Sequence, residues 1–227
     1  MFYGGSLGNR LVNSCNYPND IKEFLKEEES ILIDSMKGCD IVIEVGCMEV
    51  RNLQCVVNNG KKYIGVDIIP SYIETSNKII QEEGLSSICE CICIDAENLD
   101  IIFEKSNLIK DSKNPMFFFP FNSFGNMSNI DNVIKSMSKI KKALFVLFTY
   151  QINDYSNSVR FNYYHNCNYE HLNIVYESNG VRFTSDDGLN SMAYDENFLG
   201  DLIKKNGLNF KVIKFSNIGT AYFIKNK

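Results

Sequence analysis

Acidic side chains end three of the apolar runs in this sequence, where parallel strands would place them along one rim. Glu44 and Gly46 close the run "DIVIEVG". Asp67 comes about twenty residues later, at the spacing where a carboxylate accepts hydrogen bonds from the two hydroxyls of a ribose. Asp95 ends "ICECICID", where it can accept from the exocyclic amine of a purine while the Ala96 backbone N–H donates. The pattern predicts a nucleoside-binding rim.

The turn after the first acidic residue has one glycine where cofactor loops usually have two or three. Gly46 can adopt a positive φ and leaves room for close backbone approach. Met48 and Val50 stand where further glycines are usual. A nicotinamide enzyme needs those glycines for its diphosphate, so the two side chains count against that alternative.

The rest of the first 150 residues shows how these acidic residues would be positioned. Short apolar runs alternate with amphipathic stretches, a rhythm that predicts a mostly parallel sheet with helices on both faces. The predicted strands are 40–45, 62–69, 88–95, 115–121 and 143–150. The predicted helices are 19–38, 50–58, 71–83, 97–106 and 128–141. The first twenty residues are expected to be irregular.

The rhythm changes after Tyr150. Residues 151–193 are polar and aromatic, and two alternating runs flank "SNG", a hairpin signal. A helix over "DENFLGDLIKKNG" leads to two closing strands, "FKVIKFS" and "TAYFIKN", predicted to be antiparallel. We therefore predict an α/β Rossmann-like, doubly wound, mostly parallel seven-stranded sheet with an antiparallel last strand. It forms a single domain over 1–227, with a small β-rich insertion at 151–193 before the last helix.

Composition limits the classes of partner. The chain has 227 residues, 22% of them charged, and a formal net charge of -5. An acidic chain without a basic block is a poor match for a phosphate backbone, so no nucleic-acid partner is expected. No charged-then-apolar leader and no apolar run of about 18 residues occur, which predicts a soluble, cytoplasmic protein without a membrane partner. The eight cysteines lack metal-ligand spacing and are predicted to be reduced thiols, with no metal site.

These motifs resemble the class I S-adenosylmethionine-dependent methyltransferases. "IVIEVGCMEVRNL" is similar to the family's hydrophobic-acid-x-Gly-x-Gly-x-Gly pattern, and the resemblance runs from Cys39 to Tyr150 and recurs in the last helix and hairpin. It implies S-adenosylmethionine as cofactor and S-adenosylhomocysteine as product. The implied contacts are Glu44 near the methionine amino group, directly or through water; Gly46, Cys47 and Met48 along the methionine portion; Asp67 on the ribose; Ile68 beside the adenine; Asp95 and Ala96 on the adenine edge; and Phe121 or Asn122 at the methyl end.

The run "PFNSFGNM" indicates the branch of that family. Members that methylate nucleic acid bases often carry Asn/Asp-Pro-Pro-aromatic here, and this sequence does not. The run looks more like the small-molecule branch, which implies transfer of a methyl group to N or O of a small molecule by in-line displacement. Asn122 or Ser123 would orient an amine or hydroxyl of the substrate. Alternatively, both cap the helix near Ser128 and shape the turn.

The insertion is expected to cover the methyl end as a lid. It holds His165 and His171, each a candidate proton acceptor near neutral pH or a surface residue. Its tyrosines would form a cage around a flat or cationic substrate, such as an aromatic compound or an amine. Tyr3 would fold over the same site. The alternative is a binding or regulatory protein that has the fold and has lost catalysis. The single glycine in the turn after the first strand is the reason to consider it.

Overall fold

A seven-stranded sheet forms the centre of the molecule in a computed structural model that describes residues 2–226. The strand order is β3-β2-β1-β4-β5-β10-β9. β10 runs antiparallel to β5 and β9, and the other neighbours pair in parallel. The predicted α/β, mostly parallel sheet with one antiparallel strand is confirmed. The strands of this sheet are β1 Ile41–Val45, β2 Lys62–Asp67, β3 Cys89–Cys93, β4 Pro115–Phe119, β5 Leu144–Tyr150, β9 Leu208–Phe215 and β10 Gly219–Asn226.

Helices cover both faces of the sheet. They are α1 Ser6–Asn9, α2 Asn19–Met36, α3 Leu53–Asn58, α4 Pro70–Glu82, α5 Ile102–Lys105, α6 Ile130–Lys139, α7 Asp154–Asn166 and α8 Glu196–Lys205. The 3₁₀ turns are Arg10–Val12, Ser14–Asn16, Ala96–Ile101 and Ser123–Asn126. The predicted helix at 97–106 is therefore a 3₁₀ segment followed by one α-helical turn, and the first twenty residues contain short helical turns.

The central strands are apolar because both of their faces are covered. Every residue of β1 and β4 is buried. Val42 packs into the core on the α2 side with Phe24, while Ile43 packs into the core on the other side with Val133 of α6. Alternate side chains of one strand therefore enter two separate cores, as a doubly wound sheet requires. This burial holds the carboxyl ends of β1, β2 and β4 side by side.

The insertion begins with a helix, which the β-rich prediction missed. After α7 come three antiparallel strands in the order β6-β7-β8: β6 Asn173–Glu177, β7 Gly180–Thr184 and β8 Asn190–Tyr194. The hairpin predicted at "SNG" joins β6 to β7. α7 escaped the sequence analysis because its buried face carries Arg160, Tyr163 and Tyr164 beside Val159, so little apolar periodicity is visible.

None of the helices within residues 2–226 combines the length and the apolar character needed to cross a membrane.

Candidate active site

Two adjoining cavities lie at the carboxyl ends of the parallel strands. The first, the strand-end cavity, has a volume of about 340 Å³ and includes Asp67, Ile68, Asp95 and Ala96 in its wall. The second, the aromatic cavity, has a volume of about 280 Å³. Its wall includes Glu44, Cys47, Arg51, Tyr17, Phe121, Tyr150, Tyr163 and Tyr164. Residues that line both cavities are Tyr3, Gly46, Met48, Ser123 and Asn126.

Three residues of the turn after β1 have a positive φ, although two of them are not glycine. Gly46 has φ +81°, Met48 has φ +44° and Val50 has φ +53°. A β-branched residue at positive φ is an outlier, so the surroundings must hold it. The Val50 N–H donates to the Cys47 carbonyl at 2.8 Å, and the Met48 N–H donates to Asp67 Oδ2 at 3.0 Å. Met48 and Val50 therefore adopt the backbone conformation that glycines favour.

Asp67 joins this turn to the end of β2. Its side chain is buried, and its Oδ1 accepts from the Ile69 N–H at 3.0 Å. Burial raises the pKa of Asp67 from its ordinary value, and the N–H groups of Ile69 and Met48 oppose the rise. A carboxylate offers about four acceptor positions, so two backbone bonds leave capacity for a ligand in the strand-end cavity.

The other predicted residues of this rim line the same cavity. Asp95 caps the 3₁₀ turn that follows β3, because its Oδ1 accepts from the Glu97 N–H at 2.9 Å. Ala96 is next to it in the wall. Ile68 is 49% exposed, which is unusual for an isoleucine, and presents an apolar surface at the cavity edge. The structure therefore brings Asp67, Ile68, Asp95 and Ala96 together as the sequence predicted.

Glu44 lies buried in the wall of the aromatic cavity. Its Oε1 accepts from Asn52 Nδ2 and its Oε2 from the Tyr63 hydroxyl, each at 2.6 Å. Burial raises the pKa of Glu44 to about 7, and the Tyr63 and Asn52 donors oppose that rise. The carboxyl group of Glu44 therefore gains or loses its proton near neutral pH.

A partly buried ion pair connects α2 to the site, and the sequence analysis did not find it. Arg51 lines the aromatic cavity and donates to Glu28 Oε1. Glu28 Oε2 accepts from the Phe121 N–H at 2.7 Å. A signal existed in the sequence, because Glu28 falls on the face of α2 that also carries Phe24 and Leu32.

The predicted catalytic role of Asn122 is corrected by its surroundings. Its Nδ2 donates to Ser191 Oγ at 3.2 Å and to the Met192 carbonyl at 3.1 Å. Its Oδ1 accepts from Thr149 Oγ1 at 2.7 Å. Both amide hydrogens are used within the protein, so the side chain ties the end of β4 to the insertion instead of orienting a substrate. Asn129 caps α6, so the alternative is wrong about the helix cap. It is right about the turn, since Asn122 has φ +58° and the Ser123 hydroxyl donates to the Val45 carbonyl at 3.0 Å.

The predicted catalytic roles of His165 and His171 are also corrected. Both are exposed, and neither lines either cavity. His171 Nδ1 contacts Asp186 Oδ2 at 2.7 Å, and both side chains face solvent. His165 stacks on Phe161 with 6.4 Å between ring centroids. His165 lies outside the site because α7 turns Tyr163 and Tyr164 inward and His165 outward. His171 lies in the loop between α7 and β6.

Tyr3 reaches the site from the N-terminal segment. It lines both cavities, and its hydroxyl donates to the Asn190 carbonyl at 2.7 Å. Its own carbonyl accepts from the Tyr72 hydroxyl on α4. The segment thus bridges the insertion and the main sheet across the junction of the cavities, which is the position predicted for Tyr3.

Comparison with known proteins gives a result at the level of the fold. No family model and no curated protein matches the sequence. Among solved structures, magnesium protoporphyrin IX methyltransferase from Synechocystis PCC 6803 with bound SAH has a TM-score of 0.65 at 9% identity, over 100% of this chain and 97% of that one. The PH0226 protein from Pyrococcus horikoshii OT3 has a TM-score of 0.64 at 14% identity, over 100% and 96%.

A third neighbour has a small-molecule acceptor in its structure. It is 1,6-didemethyltoxoflavin-N1-methyltransferase from Burkholderia thailandensis, with bound 1,6-didemethyltoxoflavin and S-adenosylhomocysteine. Its TM-score is 0.56 at 9% identity, over 90% of this chain and 79% of that one. Identities this low establish the fold alone. The chain has the fold of the class I S-adenosylmethionine-dependent methyltransferases.

Proposed function

We propose that the protein binds S-adenosylmethionine and transfers its methyl group to a nitrogen or oxygen of a small molecule. The observation that carries the proposal is the pair of adjoining cavities. Acidic strand ends line one, a single arginine lines the other, and the two meet at Gly46 and Met48. Two of the neighbours of this fold contain S-adenosylhomocysteine, which supports the same cofactor here.

The strand-end cavity suits the adenosyl portion. Ribose hydroxyls are donors, and Asp67 has unused acceptor capacity toward the cavity. Asp95 and Ala96 would read the edge of the adenine, and the exposed side chain of Ile68 would lie against the ring.

The aromatic cavity suits the methionine portion. Arg51 is the one cationic side chain that lines either cavity within residues 2–226, so it would hold the carboxylate, and Glu44 and Cys47 lie on the same wall. Asn126 supports a ligand at the junction, because its Oδ1 is buried without a hydrogen-bond partner in the described part of the chain. A buried polar atom of that kind needs a hydrogen-bond partner, which a bound ligand would supply.

The acceptor would enter the part of the aromatic cavity that the insertion covers. Within residues 2–226 the hydroxyls of Tyr17 and Tyr150 have no hydrogen-bond partner, so they are available to an acceptor. Arg51 lies 5.8 Å from the ring centroid of Phe121, and Arg160 lies 5.0 Å from that of Tyr150. These guanidinium groups disfavour a cationic acceptor, while the buried Glu28 and Glu44 disfavour an anionic one. We therefore expect an uncharged, planar acceptor such as a phenol or an aryl amine.

The protein's contribution to the reaction would be alignment and the exclusion of water. S-adenosylmethionine supplies a methyl group on a positively charged sulfur, and the acceptor atom displaces it in line. Tyr3 and the insertion would shield the junction of the cavities from solvent. Because the turn after β1 keeps its left-handed path, the sparse glycines no longer argue for a protein that has lost its cofactor.

Calorimetric titration with S-adenosylhomocysteine tests the proposal. We expect saturable binding to the unmodified protein and a loss of about 1–3 kcal/mol for Asp67→Ala, because ribose hydroxyls would lose their acceptor. Asp201→Ala, an exposed position on α8, is the matched control and should bind as the unmodified protein does. Absence of binding to the unmodified protein would refute the proposed function, and unchanged affinity in Asp67→Ala would place the ribose elsewhere.

A further inference from the structure

We propose that Glu28 is a positioning residue, which sets the methionine end of the site by holding the Arg51 side chain and the Phe121 backbone together. The proposal rests on the proposed function and goes beyond it by assigning a role to a helix outside the strand-end motifs.

Glu28 is buried where a glutamate is rarely found. Its side chain is 2% exposed, and it projects from the middle of α2 among Phe24 and Leu32. A buried carboxylate is costly unless charge and hydrogen bonds compensate it. Each of its two oxygens has such a partner, and the partners come from different segments of the site. The contacts of the carboxylate with Arg51 and with the Phe121 N–H therefore explain why a glutamate occupies this buried position.

The first partner is the turn that follows β4. Phe121 has φ +41° and Asn122 has φ +58°, so two consecutive residues that are not glycine adopt a left-handed conformation. The Phe121 N–H donates to Glu28 Oε2 at 2.7 Å. Without that acceptor the strained turn would also have an unpaired N–H in a largely buried setting. Glu28 therefore stabilises the turn that forms one side of the aromatic cavity.

The second partner is Arg51, which lies in the wall of the same cavity, 5.8 Å from the ring centroid of Phe121. Its side chain is 36% exposed toward the cavity, while Glu28 is nearly inaccessible. A guanidinium has five N–H donors in a fixed plane, so pairing one edge with Glu28 leaves others for a carboxylate in the cavity. Burial raises the pKa of Glu28 from its ordinary value, and the adjacent Arg51 and the Phe121 N–H oppose that rise.

The experiment compares two ligands that differ only at the end of the site assigned to Glu28. S-adenosylhomocysteine has a methionine-derived end, and adenosine lacks it. For Glu28→Gln we expect affinity for S-adenosylhomocysteine to fall about tenfold or more, since a charge-assisted contact to Arg51 is lost. Affinity for adenosine should stay within about twofold of that of the unmodified protein. Glu23→Gln, exposed on the same helix, is the control and should change neither affinity.

The outcomes separate a positioning role from a merely structural one. Equal loss of both ligands in Glu28→Gln, or no loss of either, would overturn the proposal. If the unmodified protein binds neither ligand, the proposed function itself fails, which is a different result. A double variant gives a second test: once Arg51→Gln is present, adding Glu28→Gln should weaken S-adenosylhomocysteine binding by less than about twofold more. Additive losses would show that Glu28 does not act through Arg51.

Discussion

At the scale of single residues, similar acidic groups at neighbouring strand ends have different chemistry because their surroundings differ. Asp67 accepts two backbone N–H groups and still faces a cavity. Asp95 caps a turn at the protein surface. Glu44 is buried between Asn52 and Tyr63, and its pKa is raised to about 7. Of these residues, Glu44 is the one that we expect to respond to pH near neutrality.

We predict that the stabilising contribution of Glu44 is lost as pH rises. Its pKa is about 7 in the folded protein against an ordinary value of 4.5, so between these values the folded state holds a proton that the unfolded state has released. The free energy of unfolding should therefore fall through this window, by about 1.4 kcal/mol per pH unit at most. Denaturant unfolding at several pH values measures it, with Glu44→Gln as the reference.

The other carboxylates titrate in both proteins. The difference in the free energy of unfolding between the unmodified protein and Glu44→Gln therefore isolates the contribution of Glu44. The unmodified protein should lose stability relative to Glu44→Gln between about pH 4.5 and pH 7. A difference that does not change with pH would contradict the assignment.

At the scale of elements, the turn after β1 shows how hydrogen bonds hold residues other than glycine in a left-handed backbone conformation. Hydrogen bonds to Asp67 and Cys47 hold Met48 and Val50 at positive φ. Gly46 differs from both, because a Cβ built there would lie 3.0 Å from the Cβ of Ser123. A side chain at Gly46 would therefore crowd Ser123 in the turn after β4.

We predict that Gly46→Ala costs both stability and binding. The left-handed φ alone costs about 1–2 kcal/mol, and the contact with Ser123 would displace the turn. Gly60→Ala is the matched control, because Gly60 has φ +70° and no atom within 4 Å of the added Cβ. Thermal unfolding should show a loss for both variants, whereas calorimetry with S-adenosylhomocysteine should show weaker binding for Gly46→Ala only. Equal binding by the two variants would mean that the turn tolerates a side chain.

At the scale of the whole molecule, the insertion is fixed to the sheet by buried polar contacts. Asn122 at the end of β4 bonds to Ser191 and Met192 of β8. Arg160 of α7 is fully buried, with no carboxylate partner within the described residues. Within the insertion it donates to the carbonyls of Val181 at 3.2 Å and Ser191 at 2.9 Å, and its guanidinium lies 5.0 Å from the ring centroid of Tyr150 at the end of β5. The insertion should therefore move with the sheet and not as a loose flap.

We predict that Arg160→Ala loosens the insertion. It leaves the two carbonyls unpaired and removes a side chain that packs 4.3 Å from the Phe183 ring centroid, which should lower the free energy of unfolding by about 2–4 kcal/mol. Urea unfolding measures the loss, and hydrogen exchange should increase over 173–194. Arg182→Ala is the control, since the Arg182–Glu177 pair is partly exposed and should contribute about 0–1 kcal/mol. Equal effects from both variants would exclude a special role for Arg160.

Most of the sheet and the rim of acidic residues were predictable because their signals are local. Strands such as β1 and β4 are continuous apolar runs, and parallel strands place their carboxyl ends at one edge. Asp67 and Asp95 follow from that rule alone. α7 was missed because tyrosine and arginine form its buried face. His165 and His171 were placed at the site wrongly because residue type reveals neither which face of a helix points inward nor which loop residue reaches a cavity.

The sequence by itself determined the strand and helix periods of the sheet, because those depend on neighbouring residues. With them it determined the edge at which we propose that a ligand binds. Only the tertiary structure decided which distant groups meet there. Glu28 reaches Arg51 and Phe121 across 23 and 93 positions of the chain. Such contacts depend on how helices and turns pack against each other, and no spacing within one segment encodes that distance.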